Sequence, residues 1–594
     1  MPAPSASPRL DWRWFSAILA LAIVTLVARA MLGRGDAPFF ADTDDAMRMV
    51  MVRDFLAGQS WYDLVQHRLN TPLGAEMHWS RLVDLPLALL LGGLTPFVGA
   101  DAAMVLAGTL WPLLLLALLL WLSARIVLDL VGEAGLLPAL VLPVLSPAIM
   151  AEFTPGRVDH HNVVIVLTLA MLWLSLLALR RPRLGWAAGL AGATALAVAI
   201  EAIPLVLAAI LVFGLAYVAD PARTMALRRF GLGFGGGLAL HLALARPPGR
   251  WLEAACDMLS PVYVLAGLLV GAAYLLVSLV PPPRAAWQRF GLLAIFGLVA
   301  GLVLVLCYPQ CLGGPYAGLD PWLKHHWLDT ITEARPWHRS LLALPAYTLA
   351  VGVPVFLALP VCLMALRRSP GRRLDWLVVL VFLLCAGAVM LAQVRGARLA
   401  FMPAMPAAAW LIVAMRGAYL ARPRLAPALG LVASWLAFSG LVLALGMGLV
   451  QTALPIAPGG GEVAMQQTKR SCLVPAAFAD LAGLPPERVM TPIDLGAHML
   501  LETRHEVVSA PYHRNEAGVR DTFDFFNGPA DQAQAIARRR GLTLLVTCPA
   551  MPEMRGTGVP AADALVRALA IGPLPDWLHE IAAPGPLKVY AIAP

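Results

Sequence analysis

Nearly continuous apolar runs, each broken by a short charged turn, set the pattern of this 594-residue chain. An apolar run on the order of 20 residues reads as a membrane-crossing helix. Such runs fall at about 14–33, 103–125, 134–152, 163–179, 185–200, 203–218, 230–246, 262–280, 289–307, 342–365, 375–393, 399–415 and 426–451, which predicts about thirteen spans. The first, from Trp14 to Leu32, is too long for a signal-peptide core and reads as a retained span. One more apolar stretch, Leu82–Gly99, decides the topology. Leaving it out of the spans puts Arg180-Arg181-Pro182-Arg183, Arg223 with Arg228-Arg229, Pro283-Arg284, Arg367-Arg368 with Arg372-Arg373, and Arg422 with Arg424 on the N-terminal side. Clustered Arg marks the cytoplasmic side, so Leu82–Gly99 is expected to lie along the outer interface. The segments facing outside are then 34–102, 153–162, 308–341, 394–398 and the tail from 452, with plainer turns at 201–202 and 247–261.

Beyond residue 452 the pattern changes. The stretch Leu454-Pro455-Ile456-Ala457-Pro458-Gly459-Gly460-Gly461 reads as a linker. After it, short apolar strands such as Leu542–Val546 and Lys588–Ile592 alternate with helical stretches such as Asp531–Arg540. That alternation predicts a small extracytoplasmic α/β domain. The expected organisation is a transmembrane unit over 1–452, carrying external loops at 34–102, 153–162 and 308–341, followed by a domain over 453–594.

Composition agrees with the membrane reading. The chain is 59% hydrophobic and 13% charged, well under the share of about a quarter usual for soluble domains. Its net charge of +8 comes from Arg and Lys in short turns, so it serves topology and excludes a nucleic-acid groove. The seven Cys show no zinc spacing. Cys362 and Cys385 lie in apolar runs and read as inert. Cys472 can pair with Cys548, and Cys307 with Cys311, in an oxidising exterior. Usage rich in Ala, Arg and Leu suits a bacterial inner (cytoplasmic) membrane, with the external loops in the periplasm.

Two polar islands stand out, Asp42-Thr43-Asp44-Asp45 and Arg157-Val158-Asp159-His160-His161-Asn162. Carboxylates and imidazoles together are a ligand set for a divalent ion. In an extended loop Asp159 and His161 point the same way, with His160 facing elsewhere. In the first island Asp44 is the candidate ligand, with Asp42 and Asp45 as competitors and an N-cap role open for Asp42 or Asp44. Arg48 and Arg53 follow on the next helix, where they can meet a phosphate. A third element, Thr330-Ile331-Thr332-Glu333, ends in a carboxylate that can accept a hydrogen bond or cap a helix. A fourth, Ala392-Gln393-Val394-Arg395-Gly396-Ala397-Arg398, carries two Arg suited to a phosphate group. Glu201 and His241 read as packing or interface residues.

In this order the pieces resemble the catalytic subunit of oligosaccharyltransferase, a family of the GT-C class of membrane glycosyltransferases. Asp44-Asp45-Ala46-Met47-Arg48, with Arg53, is similar to that family's first-loop Asp motif. Trp61-Tyr62-Asp63 and Asn70-Thr71-Pro72-Leu73-Gly74 resemble its Trp-Tyr-Pro-Leu-Gly region. Asp159-His160-His161 resembles the second, Asp-x-His motif, and Thr330–Glu333 the TIxE motif. The WWDYG block departs: Thr491-Pro492-Ile493-Asp494-Leu495-Gly496 keeps Asp and Gly but neither Trp. Tyr512-His513-Arg514-Asn515 is a substitute candidate for acceptor binding.

The resemblance implies a polytopic α-helical GT-C-like fold and a metal-dependent transfer. A sugar or oligosaccharide would pass from a polyprenyl-phosphate or -pyrophosphate donor to protein Asn. It also implies roles: Asp44, Asp159 and His161 holding Mn²⁺ or Mg²⁺, with Zn²⁺ open because of the His; Asp44 and Glu333 catalytic; Arg395, Arg398, Asp494, Arg48 and His160 binding substrate. Expected partners are the lipid-linked donor, a protein or glycan acceptor and membrane lipids, with no nucleic acid. Two other readings stay open: a GT-C enzyme acting on a glycan or lipid acceptor, and a transporter or flippase of a lipid-linked saccharide.

Overall fold

The computed structural model describes residues 9–32, 37–453, 469–555, 562–581 and 585–593. The Leu454–Gly461 linker lies outside the described residues. Among the described residues, ten helices are long and apolar enough to cross a membrane, or eleven if the pair Leu425–Phe438 and Gly440–Ala453, bent by 88°, is one span. Length and composition therefore do not return the thirteen expected. The 134–152 run breaks at Ser146-Pro147 into the helices Leu136–Val144 and Pro147–Glu152. The 185–200 run gives a helix of only 14 residues, and 230–246 forms the later part of Thr224–Ala245 with its cap, a helix whose first turns carry Arg228 and Arg229. These last two helices pack backbone to backbone, because a Cβ on Gly189 would stand 2.3 Å from the Phe230 carbonyl.

Two faces are defined by cross-links between turns. On one, Arg180 pairs with Asp375, Arg372 donates to the Asp129 carbonyl and Arg223 to the Leu179 carbonyl. On the other, Asp42 meets Arg157, Glu201 meets His161, Arg398 meets Glu152, and Arg514 meets Asp257. Helix Ala100–Leu130 runs between the two faces: Gly108 accepts from the Gly156 N–H at 2.9 Å, while Asp129 lies at the far end. Helix Arg81–Val98 is long enough to span, yet it rides beside the polar helix Thr43–Leu56. Arg48 bonds Asp84, and a Cβ on Gly92 would touch Leu56. It thus packs against a site-face helix, with Leu89 and Phe97 exposed.

The C-terminal part sits on the site face. Among the described residues it has five strands, β3 (Arg488–Met490), β4 (Glu506–Val507), β5 (Leu544–Thr547), β6 (Leu578–Ile581) and β7 (Lys588–Ile592), in the order β4-β3-β5-β7-β6. A separate two-stranded ribbon, β1 (Val65–Gln66) with β2 (Ala75–Glu76), lies in the first external loop. β5 is central and buried along its whole length, as its Leu-Leu-Val sequence requires. Arg53 donates to the Leu500 and Leu501 carbonyls, and Arg540 to Asn70 and Thr71, so the first external loop and this domain are tied together. The Cys472–Cys548 disulfide forms. Cys311, however, bonds Cys256, and Cys307 is a free, exposed thiol on the last turn of its helix.

Candidate active site

Helix Thr43–Leu56 begins at Asp42, whose Oδ1 caps the Asp44 N–H at 3.0 Å. Asp45, the third residue of the helix, is fully buried and accepts from the Val158 and Asp159 N–H groups at 2.7 and 3.0 Å. It thereby fixes the second polar island against the first. Arg157 completes the junction. Its Nη1 donates to Asp42 (2.7 Å) and Asp45 (2.9 Å), and its Nη2 to Glu152 (3.1 Å) and Asp159 (2.8 Å).

Asp159 and His161 come together, with Nδ1 and Oδ2 2.6 Å apart. The segment is not extended: His160 has helical backbone angles and is the N-cap of helix His161–Ala178. Successive side chains therefore fan round a helical turn, and His160 does not face away. Both imidazoles reach Glu201, at 3.9 Å from His160 and 3.7 Å from His161. Glu201 is accordingly part of the cluster rather than a packing residue. Arg398 closes it, 3.1 Å from Glu152 and 3.6 Å from Glu201.

Electrostatics follow from this crowding. Burial raises Asp44, with Asp42 and Asp159 adding to it, so its pKa is pushed up to about 7. Burial likewise raises Asp45 well above the carboxylate range, despite Arg157. Asp159 goes the other way: burial would raise it, but Arg157 and His161 outweigh that and hold it low. Burial, reinforced by the neighbouring His161, keeps the His160 ring neutral.

Two groups of three ligands have all their ligating atoms within 4.8 Å of one another here, Glu152–Asp159–His161 and His160–His161–Glu201. Asp42, Asp44, Asp45, Glu152, Asp159 and Glu201 supply six carboxylates against the guanidiniums of Arg157 and Arg398. Glu201 Oε1 and His160 Nδ1 are buried without a hydrogen-bond partner among the described residues. An excess of negative charge, hard oxygen donors and the two imidazoles of His160 and His161 fit a divalent cation. Asp44 belongs to neither group of three; it faces Asp159 and His161 by charge.

Other candidates lie further out. Glu333 is largely exposed, 3.9 Å from Arg395, and the Val394 N–H bonds the Arg335 carbonyl, so the third and fourth motifs meet at the rim. Arg48 is fully buried, bonded to Asp84 at 2.6 Å and lying 4.3 Å over the Trp79 ring. Asp494 pairs with Lys469 on helix Ile493–Glu502, which packs against Thr43–Leu56. In Tyr512-His513-Arg514-Asn515, the Tyr512 hydroxyl donates to the Thr43 carbonyl at 2.9 Å, while His513 and Arg514 hold Asp257. Glu152, Arg157 and Glu201 are the residues whose part in the site the sequence reading missed. The available signal was a carboxylate at the outer end of an otherwise apolar helix.

No protein-family model matches this chain, and no curated protein matches it by sequence. Solved structures do. The archaeal oligosaccharyltransferase AglB from Archaeoglobus fulgidus, in complex with an inhibitory peptide and a dolichol-phosphate, aligns with a TM-score of 0.67 at 13% identity, over 91% of this chain and 70% of that one. The Archaeoglobus fulgidus oligosaccharyltransferase tethered to an acceptor peptide with the NVT sequon gives 0.63 at 14%, over 90% and 69%. Its complex with Zn and sulfate gives 0.56 at 13%, over 89% and 68%. At such identities the likeness is one of fold, and the fold is the polytopic helical, GT-C-like one.

Proposed function

We propose that this chain is a membrane glycosyltransferase taking a sugar or oligosaccharide from a polyprenyl-phosphate or -pyrophosphate donor, with protein Asn as the first acceptor. It works in the bacterial inner membrane with its site toward the periplasm. The observation that carries this reading is the meeting of Asp159, His161, Glu152, Glu201 and Arg398 at one face of an oligosaccharyltransferase-like fold.

Asp159 and His161, with Asp44 and Glu152 beside them, would hold the divalent ion. Mn²⁺ or Mg²⁺ suits the carboxylates, and Zn²⁺ suits the His. When bound, such an ion supplies positive charge to the departing phosphate. Arg398 serves the same charge directly: its Nη2 is buried and has no hydrogen-bond partner among the described residues, leaving a donor for a phosphate oxygen. Arg395 supports it from the rim, and Glu333 completes the acceptor side. Asp44 receives the acceptor nucleophile, with Tyr512 and Trp79 beneath it fixing that end of the helix.

A specific observation favours a second acceptor reading. The Asp494 block lacks both Trp and its carboxylate is engaged by Lys469, so a glycan or lipid acceptor competes with an Asn sequon. Transport is a weaker reading, because the charges gather at one face instead of the midplane. The test is turnover of lipid-linked sugar by purified protein and by the Asp159→Ala and His161→Ala variants, with and without chelator. Each variant should lose roughly 3 kcal/mol or more of transition-state stabilisation, about a hundredfold in rate. Unchanged turnover ends the metal assignment. Mass spectrometry of glycoproteins and surface glycans from cells with and without the chain separates the acceptors.

A further inference from the structure

We infer that Arg157 is a displaceable stand-in for the divalent ion, whose binding requires the Arg157 guanidinium to swing off Glu152 and Asp159. This rests on the metal-dependent reading above and goes beyond it by naming the group the ion must evict. The Nη2 atom lies 3.1 Å from Glu152 Oε2 and 2.8 Å from Asp159 Oδ2, bridging two of the three buried groups that can hold an ion together. The remaining oxygens are also taken. Glu152 Oε1 accepts from Arg398, and Asp159 Oδ1 accepts from the His161 N–H. An ion that bridges Glu152 Oε2 and Asp159 Oδ2, at the usual distance of about 2 Å, enters on the side where Nη2 now bridges the same two oxygens. Two like charges do not share that space.

The geometry also supplies a pivot. Nη1 keeps Asp42 and Asp45 at 2.7 and 2.9 Å, and Nε is buried with no hydrogen-bond partner among the described residues, so releasing Nη2 breaks no Nε bond. Only a planar, forked cation bridges two carboxylate pairs in this way. Arg157 thus holds these carboxylates together, and an ion competes with its side chain for them. The rival arrangement places the ion on His160, His161 and Glu201, away from Arg157.

The experiment is a Mn²⁺ titration of the full-length protein, read by electron paramagnetic resonance and by the metal-induced shift in melting temperature. Wild type is compared with Arg157→Gln and Arg157→Lys. Arg157→Gln should bind Mn²⁺ at least tenfold more tightly, melt lower without metal, and gain more from metal than wild type does. Arg157→Lys, a single point charge, should fall between, and it decides the matter where the Gln variant does not fold. Equal or weaker Mn²⁺ binding by a folded variant, when wild type binds, overturns the stand-in role alone. Absence of binding in wild type and every folded variant overturns the metal reading as well.

Discussion

Asp45 and Asp44 are adjacent and chemically identical, yet the fold gives them different work. One helical step turns Asp45 inward onto two backbone N–H groups of the second island, while Asp44 stays half-buried facing Asp159 and His161. No pattern in Asp42-Thr43-Asp44-Asp45 ranks these carboxylates, because their environments are set by a loop more than a hundred residues away. Glu553 shows the same dependence in the C-terminal domain. It accepts from the Ile493 N–H at 3.1 Å, while its Oε2 has no hydrogen-bond partner among the described residues. Burial, and then Asp494, push its pKa up to about 7. The folded value lies above the unfolded one, so the folded state binds more protons between about pH 4.5 and 7. Stability is therefore lost as pH rises through that window. Glu553→Gln should raise stability at pH 8 by roughly 1–3 kcal/mol and leave it nearly unchanged at pH 4, as seen in denaturant melts at the two pH values.

At the scale of elements, the turn 153–160 carries the site because Gly156 lets it fold back. Gly156 has φ +98°, and a Cβ there would stand 2.2 Å from the Phe39 carbonyl oxygen. Gly156→Ala is expected to cost about 2 kcal/mol or more, combining backbone strain with that clash. It should also move Asp159 off Asp45, so melting temperature and sugar turnover fall together. Restoration of full turnover in a destabilised Ala variant would separate the turn from the site. The cysteines give a second element-scale lesson. Cys307 and Cys311 are near in sequence, but Cys307 is the last residue of its helix, and Cys311 instead reaches Cys256 of the preceding loop, 5.3 Å away between Cα atoms.

At the scale of the molecule, the C-terminal domain is fastened over the site by ion pairs and hydrogen bonds to two external segments. Arg514 holds Asp257 through Nε at 2.6 Å and Nη2 at 2.8 Å, and reaches Glu76 at 3.0 Å. Arg540 binds the Asn70-Thr71 turn. Asp257→Ala leaves Arg514 and His513 without their shared carboxylate, a loss on the order of 3 kcal/mol for a partly buried pair. Hydrogen exchange should then rise at 247–260 and 510–516 while the membrane helices keep their protection. No change in exchange would assign the fastening to other contacts.

The order of apolar runs and basic turns, read alone, determined the membrane character, the two faces and the α/β tail. Each of these depends on local hydropathy or on period, which are properties of neighbouring residues. It also marked Asp159, His161 and Arg398, because charge at the end of an apolar run is conspicuous in one dimension. The enrolment of Glu152, Arg157 and Glu201 was decided only by tertiary structure, as was the division of labour between Asp44 and Asp45. Those proximities arise where separate helices end at the same depth and pack side by side. Helix packing joins residue 152 to 398 through contacts that no linear spacing encodes.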